Sequence, residues 1–488
     1  MMPISLLFTL MRHEWRILRK EVILVVGLLG FCFFLGGVNG AYQLQILTQS
    51  QAELAQKEQQ RLGTEIAKAR SEEAQFQREG MPLTRYGKSA RNPFKVAQKG
   101  SQALLPPGPL ALLVFGQTDL QPLSTQISLT HVENLPRQEQ LHHPLGLFLG
   151  QFDLGFVLIW LLPLFILGLS FDILATEQEN GSLRMLLSMP ISLQQLALGK
   201  ICMRAIVLTE AIVIGLLLVS LGQGLDLRQP EILARWLGLL GLTLLYGEGW
   251  FALALWVNSR KRPAATQATI LALIWLGVLF VVPASLNLAL SALYPLPSRV
   301  EFTQATAKAS EKVRNASSQL LGKYFEDHPE LSSSKRDEAE FNLLQLAKED
   351  LIGQEITPVV AEFRAQLAKQ RQVLQNLQFL SPALATQAAL NRLAGTGHER
   401  LEAYRNGVEA HQKAWRDWFT PRIRDNLAVQ VADYARLPVY RWQEPSPGGD
   451  KLTGQYGLGL TAVYLALIVL LLGYQALKAY QNYQIVDS

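Results

Sequence analysis

The sequence predicts a mainly α, polytopic membrane protein with six transmembrane helices and a predominantly helical extracytoplasmic domain. Three observations carry this expectation. Only 17% of the 488 residues are charged, against roughly a quarter in an average soluble domain. Six stretches are almost free of charge over about 17 to 25 residues or more, the length that crosses about 30 Å of hydrocarbon as a helix. Two long polar segments between them, rich in Gln, Ala, Glu, Lys and Arg, carry apolar residues at helical spacing.

Residues 1–21 place Leu6, Leu7, Leu10, Met11, Trp15 and Leu18 near one helical face, with Arg12, Arg16, Arg19 and Lys20 elsewhere. This suits a cytosolic interfacial helix or, equally, the positive flank of a span. The first span is 22–42; it has no obvious small-x-small cleavage site, so it reads as a span and not a signal peptide. The first extracytoplasmic loop, 43–151, opens with the same helix continuing outward, on Leu44, Leu47, Leu54, Leu62 and Ile66. Pro82 and the Arg91-Asn92-Pro93 turn stop it, and Leu105-Pro106-Pro107-Gly108-Pro109 is a rigid loop. Ile127-Ser128-Leu129 alternates as a short strand does.

The second span is 152–174, followed by a cytosolic loop, 175–203. Spans three, four and five are 204–225, 232–257 and 264–293. The second extracytoplasmic loop, 294–455, shows helical patterns over 300–325, 335–377, 382–394 and 400–418, punctuated by Gly395-Thr396-Gly397 and Pro421. The sixth span is 456–478 and the tail 479–488. Thin apolar stripes need neighbours, so the two outer segments are expected to pack as one domain.

Lys and Arg resist translocation. Arg12, Arg16, Arg19, Lys20, Arg184, Lys200, Arg204, Arg260, Lys261 and Arg262 fall on one side if the spans alternate, which puts both termini in the cytoplasm. The net charge of +5 then needs no nucleic acid; anionic lipid is the partner for such basic edges. Cys32 and Cys202 lie outside the large loops, so those loops fold without a disulfide, which is compatible with a bacterial periplasm.

Nothing in the chain reads as a catalytic constellation. Gly199-Lys200 lacks the phosphate-loop context, since Gln194 and Ile201 stand where Gly and Ser or Thr are required. ATP hydrolysis is therefore not expected here. The adjacent His142 and His143 are a poor metal pair, and no cofactor or metal is expected. Glu210 and Glu248 lie inside spans, where a carboxylate is costly unless paired, protonated or hydrated, and both are candidates for a translocation pathway. Gly36 and Gly40 have the spacing of close helix packing.

The cytosolic segment Glu177-x-Glu179-x-Gly181-Ser182-Leu183-Arg184-x-Leu186-Leu187-Ser188-x-Pro190, then Leu198-Gly199-Lys200, resembles the loop between spans two and three of ABC-2 type permeases, and within them the nitrous-oxide-maturation type. Asn92 to Gln98, Leu105 to Leu110, Gly116 to Leu120 and Phe379 to Ala383 resemble the subgroup carrying DUF3526. The resemblance implies a permease subunit of an ATP-binding-cassette exporter in the bacterial inner membrane, working by alternating access. It also implies that the coupling helix, with Glu177, Gln178, Glu179, Gly181, Ser182, Leu183 and Arg184, seats in a separate ATPase subunit that binds ATP and Mg. Gln178 departs from the basic residue frequent there. Six spans suit half a transporter, implying a second copy or a related permease, and the outer domain implies a periplasmic partner. Two other readings stay open: a proton-coupled secondary transporter using Glu248 and Glu210, and a non-transporting membrane scaffold with a periplasmic binding domain.

Overall fold

The computed structural model describes residues 4–84, 89–116, 123–129, 152–188, 191–260, 262–295, 338–444 and 455–481, with the pairs 303–304, 307–308 and 311–312. His142, His143, Pro190, residues 117–120 and most of the helix expected over 300–325 lie outside these. Among the described residues, six helices are long and apolar enough to cross a membrane. The first belongs to α1, Ile4–Arg78, one helix in which the basic segment, the span and the outward extension run on without a break.

After α1 come α2 (Pro93–Lys99), β1 (Ser101–Leu104) and β2 (Ser124–Ile127), the strands pairing antiparallel with Ser101 opposite Ile127. The strand thus lies slightly before the Ile127–Leu129 alternation, because pairing with β1 fixes its extent. The second span consists of α3 (Leu154–Phe156), a π-helical turn (Val157–Leu161) and α4 (Leu162–Ser170). Then follow α5 (Ala175–Glu179), α6 (Ser182–Leu187), α7 (Leu193–Gly222) and α8 (Pro230–Asn258). The fifth span repeats the pattern of the second: α9 (Ala264–Leu276), a π-helical turn (Gly277–Val281), and α10 (Val282–Leu293).

Each π-helical turn releases backbone carbonyls that need donors from elsewhere. Tyr246 donates to the Ile159 carbonyl at 3.1 Å, Trp275 to that of Trp160 at 3.3 Å, and Ser381 to that of Val278 at 2.9 Å. Trp160 and Phe280 meet edge to face at 4.8 Å, joining the two turns. The closely spaced glycines allow close approach, but to an N-cap residue and a loop turn and not to a packed helix. A side chain at Gly36 would press on the Asp153 backbone at 3.1 Å, and one at Gly40 on the Leu112 carbonyl at 2.4 Å.

The long segment before the sixth span contains α11 (Glu338–Leu377), α12 (Pro382–Ala394) and α13 (His398–Arg424); α14 (Gln455–Gln481) carries the last span. Pro421, expected to punctuate, sits inside α13, in its final turns. In the apolar bundle α1 packs on α7, while α8 receives α4, α12 and α14. A second hydrophobic core lies outside the bundle. It joins Ala69, Phe94, Ala97 and Ile127 from the first polar segment to Leu346, Tyr404, Trp415 and Phe419 from the second. The exception is α12, whose Ala389, Leu390 and Leu393 belong to the bundle core.

Candidate functional site

At the bundle end opposite this second core, the chain turns through α5, Asn180, Gly181 and α6. Gly181 takes φ +73°, the left-handed region that glycine enters without steric cost, and this lets the two short helices meet at a sharp angle. Gln178, Glu179, Gly181, Ser182 and Met185 are exposed, Glu177 is half-buried, and Leu183 is buried in the bundle core. Leu183 therefore anchors the turn from within. The side chain of Arg184 lies outside the described residues, and Ser182 donates to the Glu177 carbonyl at 3.3 Å.

The two carboxylates of α5 hold different spans. Glu177 accepts a hydrogen bond from Lys200 of α7. Glu179 accepts one from the Ala264 backbone N–H at 2.8 Å, capping α9; an anion there meets the positive end of the helix dipole.

Lys200 leads into a buried ionic cluster. Its ammonium lies 3.7 Å from Glu14 of α1, and Glu14 also takes Arg204 of α7 at 2.7 Å and 3.2 Å. Arg204 continues to Asp172 at 3.2 Å and to the Leu169 carbonyl at the end of α4. Asp172 in turn accepts from Thr176 of α5 at 3.2 Å. Glu14, Lys200 and Arg204 are 2%, 5% and 2% exposed. Charges so removed from water persist only where partners replace the lost hydration, and here three carboxylates surround two cations. The cluster ties α1, the end of α4, α5 and α7 together at one point. Lys200 and Arg204 stood out in the sequence as markers of sidedness; Glu14, the hub, carried no local signal. Gly199, beside Lys200, serves packing, since a side chain there would strike Leu10 at 2.8 Å.

The side chains of the intramembrane carboxylates are not bonded to this cluster. Glu248 is half-buried in α8 between Gly247 and Gly249, and Glu210 is exposed on α7. Among the described residues neither makes a hydrogen bond or ion pair, with each other or with anything else. No group of three or more His, Cys, Asp or Glu side chains that could hold a metal is present among the described residues.

At the other end of the bundle Asp153, 4% exposed, caps α3 by accepting from Phe156 N–H at 2.7 Å, and it also accepts from Phe115 and Gly116 at 2.8 and 3.2 Å. A small cleft beside it is lined by Gly116, Trp160, Gln387 and Asn391. It joins the loop after the first span, the second span and α12.

Residues 299–443 match a family described as a domain of unknown function, DUF3526. The match covers α11, α12 and α13, and includes Phe379 to Ala383, whereas the pieces between Asn92 and Leu120 fall outside it. No curated protein matches the chain.

Proposed function

We propose that the chain is the membrane-spanning subunit of an ATP-driven transporter of the ABC-2 permease type, an exporter of the bacterial inner membrane with both termini inside. In this reading the turn Glu177–Arg184 receives the stroke of a separate ATPase that holds ATP and Mg, and a second permease chain completes the pathway. The observation that carries the reading is the double attachment of α5. Glu177 is fixed to α7 through Lys200, and Glu179 to the start of α9, so a push on the exposed turn must move the third and fifth spans. Through Glu14 and Arg204 the same push reaches α1 and the end of α4. The outer side of the turn, with Gln178, Ser182 and Met185, is exposed.

The fold supports the remaining parts of this reading. The π-helical turns of the second and fifth spans face one another, and π turns inside helices are frequent at functional sites. Ser381, holding the carbonyl of Val278, connects the fifth span to α12 and hence to the DUF3526 region. Motion entering at α5 would thereby be felt in the domain outside the bundle.

Sidedness gives the test. In a chain with Cys32→Ser and Cys202→Ser, a cysteine at Gln178 should react with a membrane-impermeant maleimide only after the cells are opened, and an ATPase subunit should co-purify with the chain. Labelling in intact cells would end the proposal.

A further inference from the structure

On α11, Arg364, Arg371 and Gln375 recur at helical spacing, and His398, Glu402, Arg405 and Glu409 do so on α13. Two bonds show that these faces meet. Gln375 and His398 join through their Nε2 atoms at 2.9 Å, and Arg364 holds Glu409 at 2.5 Å. The bonded positions are eleven residues apart on each helix and run in opposite senses, so the helices are antiparallel, and Arg371 and Arg405 fall between the two bonds. Both are half-buried. Burial, and then the charges of Arg371 and Arg364, push the Arg405 guanidinium below its ordinary value, and Glu402 and Glu409 do not offset this. Glu409 is already engaged by Arg364. Among the described residues Arg371 and Arg405 make no hydrogen bond or ion pair, with Glu402 or with anything else. Like charges held together in a half-buried seam are costly until an anion joins them.

We propose that the seam between α11 and α13 binds a phosphate group, held by Arg371 and Arg405, with the exposed Arg364 adding charge on its outer side. Planar guanidinium forks suit the acceptor oxygens of phosphate, and one such group answers both cations at once. The seam is open to it, since Ala368, Gln372, Glu402 and Asn406 along its edges are exposed. Two sources bring that group. His398 follows α12, whose Arg392 lies beside Gly457 at the start of the sixth span, so the seam begins at the outer end of the bundle. Arg371, four residues from Gln375, stands about 6 Å beyond that end, the height of the lipid headgroups. A phospholipid headgroup and a soluble phosphate compound both reach it. The inference stands without the ATP-driven reading, because it rests only on the register of two helices and their charges.

The test follows the melting temperature of the full-length chain in dodecyl maltoside, a detergent without phosphate. Sodium phosphate is added in one arm and phosphatidylglycerol in the other, each against sodium chloride of equal ionic strength. The expected result is a saturable rise beyond that of chloride in at least one arm. A rise with the lipid alone assigns a headgroup, and a rise with sodium phosphate assigns a soluble ligand. Arg371→Gln and Arg405→Gln should each raise the half-saturating concentration at least about tenfold, as loss of a charged hydrogen bond does. Lys413→Gln, at an exposed position on α13, should leave it unchanged. Without added anion, Arg405→Gln should melt no lower than the unaltered chain, which also shows that this variant is folded. No rise beyond chloride in either arm, arginine variants that saturate like the unaltered chain, or a lower melting temperature for Arg405→Gln without anion would overturn the proposal.

Discussion

At the scale of single residues, the cluster around Glu14 is the least forgiving part of the molecule. Removing one member of a buried ion pair costs about 3–5 kcal/mol, because the opposite charge stays buried without its partner. Glu14→Gln should therefore lower the stability of the detergent-solubilised chain by about that much, read as a fall in melting temperature. Glu21→Gln, at an exposed position seven residues on in the same helix, should change it within about 0.5 kcal/mol. Equal effects would mean that the cluster does not hold the helices together. Asp153 is a second sensitive point, since three backbone N–H groups converge on it. Asp153→Ala should cost about 1–2 kcal/mol as a lost cap, and more through the buried donors it strands. Little of this was legible beforehand. Lys200 and Arg204 were visible as charges, but the carboxylate that Arg204 meets is 190 positions away in the chain, and no local pattern announces such a pairing.

Elements were easier to read than residues. Hydropathy alone located the six apolar helices, because their length is dictated by the bilayer. Helical spacing likewise located α11, α12 and α13. The docking of α12 on α8 was hidden, because an Ala-rich helix carries the same pattern whether its neighbour is a soluble helix or a span. At the turn between α5 and α6, Gly181→Ala should introduce strain of about 1–2 kcal/mol, the cost of a left-handed conformation for an L-residue. Space is not the limit there, since nothing lies within 4 Å of the position a side chain would take. The expected signature is weakened coupling with little loss of expressed protein, measured as ATP turnover per assembled complex.

The helical domain that contains α13 should also respond to pH. His411 is packed against Trp415 and Tyr440, and burial pushes its imidazole below the ordinary value. The unfolded chain then binds the proton more readily, so the His411 contribution to stability is present above about pH 6.5 and lost as the pH falls through the lower folded value. Glu444 acts at lower pH. Burial raises its carboxyl, but hydrogen bonds from Arg400 and Trp442 and the Arg400 charge more than offset this and hold it below the ordinary range. Its contribution is present above about pH 4.3 and lost below. Melting curves between pH 8 and 5 should show His411→Gln flattening the upper part of the decline; an unchanged slope would contradict this.

For the whole molecule, the proposed reading is a lever with its input at α5 and its output in the region matching DUF3526, α1 contributing to both hydrophobic cores. The carboxylates of α5, which the resemblance assigns to a partner, are bonded within the chain, so their proposed work is to pass force inward while Gln178, Ser182 and Met185 meet the partner. The most direct measurement is ATP turnover by the co-purified complex in lipid nanodiscs, comparing the unaltered chain with Lys200→Met and with Glu179→Gln, each checked for intact assembly. If α5 transmits the stroke, both variants keep the ATPase bound and lose at least about tenfold of the substrate-dependent turnover. Undiminished coupled turnover in both would show that the turn is not the lever.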